Sequence, residues 1–312
     1  MLTRRHFIAA TGLAALGIAG GVSAAESGAM EILRLWPGEP PGGGGPHGPL
    51  KETPWGVVSN ISTPDIHVFR PEKPNGAAML VIAGGGYRLI SRKAEGYTAA
   101  KWLNALGYTA FVLTYRLPGE GWHAGPKAPL ADAQRAIRMI RARAADFGIE
   151  KERVGILGFS AGGYLAGLAS VRSDFQSYVP VDDIDSEPDR PDWTALVYPV
   201  ITLKTPYDHT STRRQMLGPH PTPEEVSEWS VETYVNADTP PLLLVHAADD
   251  PIANVHHSLI MEQCCEQAKV PVEFVELPKG GHGFGMSKPG KPSYGWSDHL
   301  QSWLKKVDAA GT

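Results

Sequence analysis

The sequence predicts an α/β protein, a three-layer α/β/α sandwich around a mostly parallel central sheet. Three observations predict it. After Asp65, apolar runs of strand length alternate with stretches of helical periodicity. Most of these runs are apolar throughout rather than at every second position, as strands covered on both faces must be. The 312 residues, 42% hydrophobic and 20% charged, supply enough apolar material for one large core, which argues against disorder or a fibrous repeat.

In chain order, residues 1–25 read as an export signal. Thr3-Arg4-Arg5-His6-Phe7 precedes an uncharged Ala/Gly/Leu-rich stretch ending in Val22-Ser23-Ala24-Ala25, a small-residue cleavage pattern. This looks like a twin-arginine signal. The stretch is barely long enough for a retained anchor and weakly hydrophobic, so cleavage near Ala24 or Ala25 is expected. The expected partner is the twin-arginine export machinery, with a periplasmic or secreted mature protein and no stable membrane association after cleavage. Residues 26–60 read as a Pro/Gly-rich lead-in, irregular from Trp36 to Pro54, and 61–310 as a single domain.

Within that domain the expected strands are Ile66–Phe69, Ala78–Ala83, Thr109–Tyr115, Val154–Phe159, Ala195–Val200, Leu242–His246 and Val272–Leu277. The clearest helix is Asp132–Phe147, where Ala133, Ala136, Ile137, Ile140, Ala144 and Phe147 form one stripe. Arg135, Arg138, Arg141 and Arg143 mostly fall outside that stripe and read as a solvated face. Further helices are expected near Ala94–Leu106, Ala161–Val171, Val255–Ala268 and Trp296–Val307. Ligands of such sheets bind at the carboxyl ends of strands, so function is sought in the loops that follow them.

Several classes of function drop out. With 29 Lys+Arg against 33 Asp+Glu the net charge is −4, and no basic excess is available for nucleic acid. The two cysteines, Cys264 and Cys265, are adjacent and read as buried helical thiols, which make neither a disulfide framework nor a thiolate metal site. His256 and His257 are helical neighbours that point to different sides, a poor metal pair. The GxGxxG of Gly43, Gly45 and Gly48 lacks a preceding strand, and the phosphate-loop imitation at Gly285–Lys291 has Pro292 where a hydroxyl is needed.

Three loops carry chemistry. With 35 glycines in the chain a bare GxSxG means little, but Gly158-Phe159-Ser160-Ala161-Gly162 lies between a buried-strand pattern and a helix of small residues. That is the setting of a sharp strand-to-helix turn exposing a nucleophilic serine. A serine needs a base and an orienting acid. His282 follows the last strand, flanked by glycines in Gly280-Gly281-His282-Gly283, and is the base. The strand Leu242–His246 runs into Asp249-Asp250-Pro251; Pro251 sets the backbone direction of its predecessor, which favours Asp250 over Asp249 as the acid. The strand ending at Ala83 opens into Gly84-Gly85-Gly86-Tyr87, where glycines let backbone amides approach a ligand. Gly85, Gly86 and Ala161 are the expected oxyanion donors.

These residues together resemble the α/β-hydrolase superfamily. Leu35-Trp36-Pro37-Gly38, Gly84-Gly85-Gly86-Tyr87, Lys101-Trp102-Leu103-Asn104, Asp132-Ala133-Gln134-Arg135-Ala136, Gly158 to Gly163, Tyr198-Pro199-Val200-Ile201-Thr202 and Gly280 to Gly285 look like the bacterial acetylxylan-esterase-like proteins, relatives of bifunctional feruloyl and acetyl esterases. The likeness spans roughly Leu35 to Leu304. The sequence departs from that pattern at Ala83, where Pro or His is frequent, and at Ala253-Asn254, where Val-Pro is common. The resemblance implies an α/β-hydrolase fold and hydrolysis of acetyl or similar short acyl esters on plant-polysaccharide sugars. In that family the serine, acid and histidine match Ser160, Asp250 and His282.

The expected substrate is thus an acylated sugar or oligosaccharide, with no metal or organic cofactor required. Tyr87 and Arg88, beside the oxyanion loop, are expected to bind it, together with the long polar connection from Leu203 to Thr239, which carries Tyr207, His209, Trp229 and Tyr234. The rivals are a general carboxylesterase or lipase, a prolyl-oligopeptidase-type peptidase, whose propeller domain has no room here, and a noncatalytic sugar-binding protein on the same scaffold.

Overall fold

The computed structural model describes residues 30–310, so the export signal expected at 1–25 lies outside the described residues. The strands are β1 (Glu31–Arg34), β2 (Lys51–Glu52), β3 (Val58–Ser59), β4 (Asp65–Phe69), β5 (Ala78–Ile82), β6 (Thr109–Thr114), β7 (Val154–Phe159), β8 (Thr194–Val197), β9 (Leu242–Ala247) and β10 (Val272–Leu277). Eight form one sheet in the order β1-β4-β6-β5-β7-β8-β9-β10. β4 runs antiparallel to both β1 and β6, and every pairing from β6 to β10 is parallel. This is the predicted mostly parallel sheet of an α/β-hydrolase.

The helices are α1 (Thr98–Ala105), α2 (Lys127–Ala142), α3 (Ala144–Phe147), α4 (Ala161–Val171), α5 (Ser211–Leu217), α6 (Pro223–Glu228), α7 (His256–Gln267) and α8 (Trp296–Ala310). Side-chain alternation along the central strands divides the core into two layers. Leu80, Ile82, Phe111 and Leu113 pack with Ile137, Leu165 and Met261 of α2, α4 and α7 on one face. Met79, Val81, Ala110 and Val112 pack with Leu103, Trp296 and Leu300 of α1 and α8 on the other. Each fully buried aliphatic side chain contributes about 1.5–3 kcal/mol, and strands apolar on both faces are held from both sides.

Three expectations are corrected. The segment 26–60 is not wholly outside the domain: β1 pairs with β4 and forms one edge of the sheet, Glu31 opposite Val68 and Arg34 opposite Asp65. It is four residues long, too short to stand out in the sequence. The arginines of α2 are not a solvated face. Arg135 and Arg141 are buried, and Arg135 pairs with Asp182 and Asp185, Arg138 with Asp189, and Arg141 with Asp192. Cys265 is buried, but Cys264 is only half-buried.

Boundaries also shift for local reasons. α2 begins at Lys127, because Pro129 falls in its first turn, where a missing amide proton costs nothing. β8 stops at Val197, since Tyr198 takes φ 38° and Pro199 has no amide proton for a ladder. The helix expected from Ala94 begins as a π-helical turn, Arg92–Tyr97, that passes into α1. Gly96 lets this turn sit against the sheet: a Cβ there would lie 2.6 Å from Val112 of β6.

Candidate active site

β7 delivers Ser160 to a turn that few residues tolerate. Its φ is 53° and ψ −119°, a strained backbone for a side chain with a Cβ, and α4 starts at the next residue. The flanking glycines allow the turn to close. A Cβ on Gly158 would lie 2.5 Å from the Gly162 carbonyl oxygen, and one on Gly162 would lie 2.2 Å from that of Ile82. The Ser160 hydroxyl is thereby held at the carboxyl edge of the sheet, half-buried.

The structure brings the other two residues to it. His282 Nε2 is 2.7 Å from Ser160 Oγ, and His282 Nδ1 is 2.7 Å from Asp250 Oδ2. A carboxylate only accepts, so Nδ1 carries the proton and Nε2 is left to accept the serine proton. Asp250 is buried and its Oδ1 accepts the amides of Ile252 and Ala253 at 2.8 and 2.9 Å. Burial alone would raise its pKa; the hydrogen bonds from His246 and His282, the His282 charge and the Ile252 amide outweigh it, leaving the carboxyl well below the usual range. Asp249 is turned away: its Oδ1 accepts the amides of Gly280 and Gly281, both at 2.8 Å, and so anchors the loop that carries His282.

The amides of Gly85, Gly86 and Ala161 have no acceptor among the described residues. Gly84 packs the glycine loop directly on the serine, since a Cβ there would be 2.7 Å from Ser160 Cβ. Gly85 takes φ 137°, where a side chain would collide with the Leu89 carbonyl at 2.1 Å. Ser211 of α5 donates to the Gly86 carbonyl at 2.8 Å, so the long connection after β8 braces this loop.

The expected substrate residues separate. Arg88 is exposed beside the loop, with no carboxylate partner among the described residues. Tyr87 is corrected: its ring is fully buried between Tyr115 and Tyr164, with centroids 5.7 and 5.9 Å away, because its φ of 59° turns it into the core. In the long connection, Trp229 packs on Phe175 and Arg172, Arg172 also lies over Tyr234, and Tyr207 stacks on His256. His209 is exposed.

Two residues at the site were not anticipated. His246, the penultimate residue of β9, is fully buried, with Nε2 2.8 Å from the Ala253 carbonyl and 3.2 Å from Asp250 Oδ2, and Nδ1 2.8 Å from Ser258 Oγ. Its Nε2–H faces the carbonyl and the acid together, and the Ser258 hydroxyl donates to Nδ1. Glu95, in the π-helical turn, is buried and accepts from the Gly84 amide at 2.6 Å. The available signal for His246 was a polar residue in an otherwise apolar strand that runs into an acidic loop; Glu95, in a polar run behind Arg92-Lys93, had none. A cleft of about 550 Å³ adjoins the histidine loop, lined by Ser91, Glu95, Thr98, Phe284, Met286 and Lys288 among others.

With this geometry in view, comparison with known proteins is specific. Residues 65–264 match the BD-FAE family profile. The acetylxylan esterase of Xylanibacter ruminicola is 31% identical over 245 residues, covering 77% of this chain and 48% of that protein. The endo-1,4-beta-xylanase B of Butyrivibrio fibrisolvens is 35% identical over 225 residues, 70% of this chain and 34% of that protein. The chain therefore spans half or less of the length of these curated relatives. Among solved structures, an acetyl ester-xyloside bifunctional hydrolase from Caldicellulosiruptor lactoaceticus superposes with a TM-score of 0.74 at 30% identity, covering 89% of this chain and 96% of that one. The family match takes in Ser160, the loop Gly84-Gly85-Gly86 and Asp250, and by it this chain belongs to the BD-FAE family of α/β-hydrolases.

Proposed function

We propose that the protein is a serine ester hydrolase that removes acetyl or other short acyl groups from carbohydrate, with xylan-derived sugars as its substrate class. One observation carries the reading: Ser160, His282 and Asp250 form a continuous relay with two 2.7 Å contacts beside unpaired amides. The names of the relatives, an acetylxylan esterase and an acetyl ester-xyloside hydrolase, supply the substrate class.

In this mechanism Ser160 Oγ attacks the ester carbonyl as His282 Nε2 takes its proton. The oxyanion is received by the amides of Ala161, Gly85 and Gly86, a reading supported by their having no acceptor among the described residues. The imidazolium returns its proton to the departing sugar oxygen, leaving an acyl-serine. Water, deprotonated by the same nitrogen, then releases the acid and regenerates the hydroxyl. Asp250 fixes the tautomer throughout and stabilises the imidazolium. Arg88, exposed next to the oxyanion loop, is the rim residue assigned to the sugar side.

Acetate release from acetylated xylan, set beside hydrolysis of acetyl, butyryl and octanoyl p-nitrophenyl esters, tests the reading. Wild type should release acetate and favour the acetyl ester, and Ser160→Ala should lower kcat by about 10⁶ with the fold intact. Little acetate with fast octanoyl cleavage would make the protein a lipase or general carboxylesterase. No turnover by wild type would make it a binding protein on a hydrolase scaffold. Export by the twin-arginine route belongs to the same proposal, supported by Arg4-Arg5 and the Ala24-Ala25 end of the apolar stretch; an exported protein whose first residue is Met1 would refute cleavage.

A further inference from the structure

A carboxyl group removed from water is stable as an anion only when hydrogen-bond donors replace the lost hydration. Glu95 meets that condition with two donors from different loops. Its Oε2 accepts the Gly84 amide at 2.6 Å, and its Oε1 is 2.9 Å from the Tyr198 hydroxyl. That hydroxyl accepts the Gly285 amide at 2.9 Å, so its single proton is free to go to Glu95. A carboxylate offers one oxygen to each of these two donors.

The chain of contacts spans the two loops that must keep register during acyl transfer. Gly84 begins the oxyanion loop and lies against Ser160, and Gly285 ends the histidine loop three residues after His282. Between them Tyr198 stands where β8 gives out, its ring 4.9 Å from the His282 imidazole and fully buried. Gly96 and the π-helical turn bring Glu95 into this position against β6; such turns recur where a helix must present a side chain out of α register.

We propose that Glu95 is a positioning residue that ties the oxyanion loop to the histidine loop through Tyr198 and, as a carboxylate, sets a negative charge near the imidazole. The inference rests on reading Ser160 and His282 as the reacting pair. Its physical consequence is twofold. The tie keeps donors and base in place when an oxyanion forms between them, and the charge favours imidazolium, the state formed as Ser160 attacks. Burial raises the Glu95 carboxyl above its ordinary value, and the Gly84 amide, the Tyr198 hydroxyl and the His282 charge offset that only in part. The other ionisable groups facing this cluster are Asp250, on the far side of the imidazole, Tyr115, and Lys288 and Lys291 across the cleft; none of them changes in the variants below.

The test uses the full chain with Glu95→Gln and Tyr198→Phe. Glu95→Gln keeps the shape and removes the charge. It should lower kcat about tenfold to a hundredfold with KM within about threefold, the effect of slightly misplaced catalytic groups. It should also move the acid limb of kcat/KM, and the His282 imidazole titration followed by NMR, to lower pH by roughly half a unit, because an anion that favoured the imidazolium is gone. Tyr198→Phe cuts the tie but retains the charge, so kcat should fall without that downward shift. A Glu95→Gln protein with unchanged kcat, acid limb and imidazole titration overturns the proposal, as does a loss of kcat with no shift in either titration. Should Glu95→Gln fail to fold, an unchanged kcat in Tyr198→Phe overturns it alone. If Ser160→Ala retains activity, the hydrolase reading fails separately, and the imidazole titration still decides the role of Glu95.

Discussion

At the scale of single residues, the site depends on which oxygen of which carboxylate faces which proton. Asp249 and Asp250 are neighbours in sequence yet serve different loops. Asp250 Oδ2 faces His282 Nδ1 at 2.7 Å, whereas Asp249 Oδ1 receives the amides of Gly280 and Gly281. Three substitutions separate them. Asp250→Asn presents an amide to the imidazole and stabilises the wrong tautomer, so kcat should fall by about 10⁴. Asp249→Asn still offers an oxygen to both glycine amides and should leave kcat within a few-fold, but Asp249→Ala frees the loop and should lower kcat well beyond Asp249→Asn. Steady-state kinetics on the three checks this, and abolished turnover in Asp249→Asn with an active Asp250→Asn would reverse the assignment. Ser160 and His282 were legible in the sequence because glycines around a reactive side chain mark a backbone bend, and a bend is a local property. His246 and Glu95 were not: His246 is a lone polar residue in an apolar strand, Glu95 follows the polar run Ser91-Arg92-Lys93, and the partners of each stand on other strands and loops.

At the scale of elements, what periodicity records is which face is apolar, not which charged face meets solvent. The stripe of Ala133, Ala136, Ile137 and Ile140 packs into the core as its period requires. The opposite arginines looked solvated, but the excursion from Asp182 to Asp192 folds over them and supplies the carboxylates. Arg135 is the centre of this arrangement. Its Nη1 and Nη2 contact Asp182 at 2.6 Å, its Nη1 contacts Asp185 at 2.8 Å, and its Nε donates to the Leu35 carbonyl at 2.9 Å. It therefore joins α2 to the segment that follows β1. Arg135→Met should destabilise the fold by about 3–5 kcal/mol, because it takes the cation from the Asp185 carboxylate, which keeps only the Tyr178 hydroxyl and the Val181 amide, and the Nε donor from the Leu35 carbonyl. Urea denaturation monitored by tryptophan fluorescence gives that figure; a change below about 1 kcal/mol would mean the pair is replaced by water. The edge strand β1 escaped detection for a related reason, since Glu31–Arg34 alternates half-buried with exposed residues and gains strand character only from pairing with β4.

At the scale of the whole molecule, stability responds to pH through carboxyl groups shifted in opposite directions. Asp182, Asp185 and Asp250 are held below the ordinary carboxylate value, so each contributes stability that is present above an unfolded pKa near 3.9 and lost as pH falls through its folded value. Asp189 behaves in the reverse sense. Burial pushes it up to about 6, with Arg138 and a backbone amide pulling it only partly back. Between about 3.9 and that value the folded chain holds a proton that the unfolded chain has released. Stability therefore falls as pH rises through this window, and the loss is complete above it. Asparagine mimics the protonated form and cannot ionise, so Asp189→Asn should match wild type in Tm near pH 4 and exceed it by a few degrees at pH 7. The other carboxylates titrate equally in both proteins and cancel in the difference. A Tm at pH 7 lower for Asp189→Asn than for wild type would mean that the ion pair with Arg138, at 3.0 Å, outweighs the cost of burying the charge. The helix face that the arginines line would then be held by Coulombic attraction rather than by the packing that the apolar stripe provides.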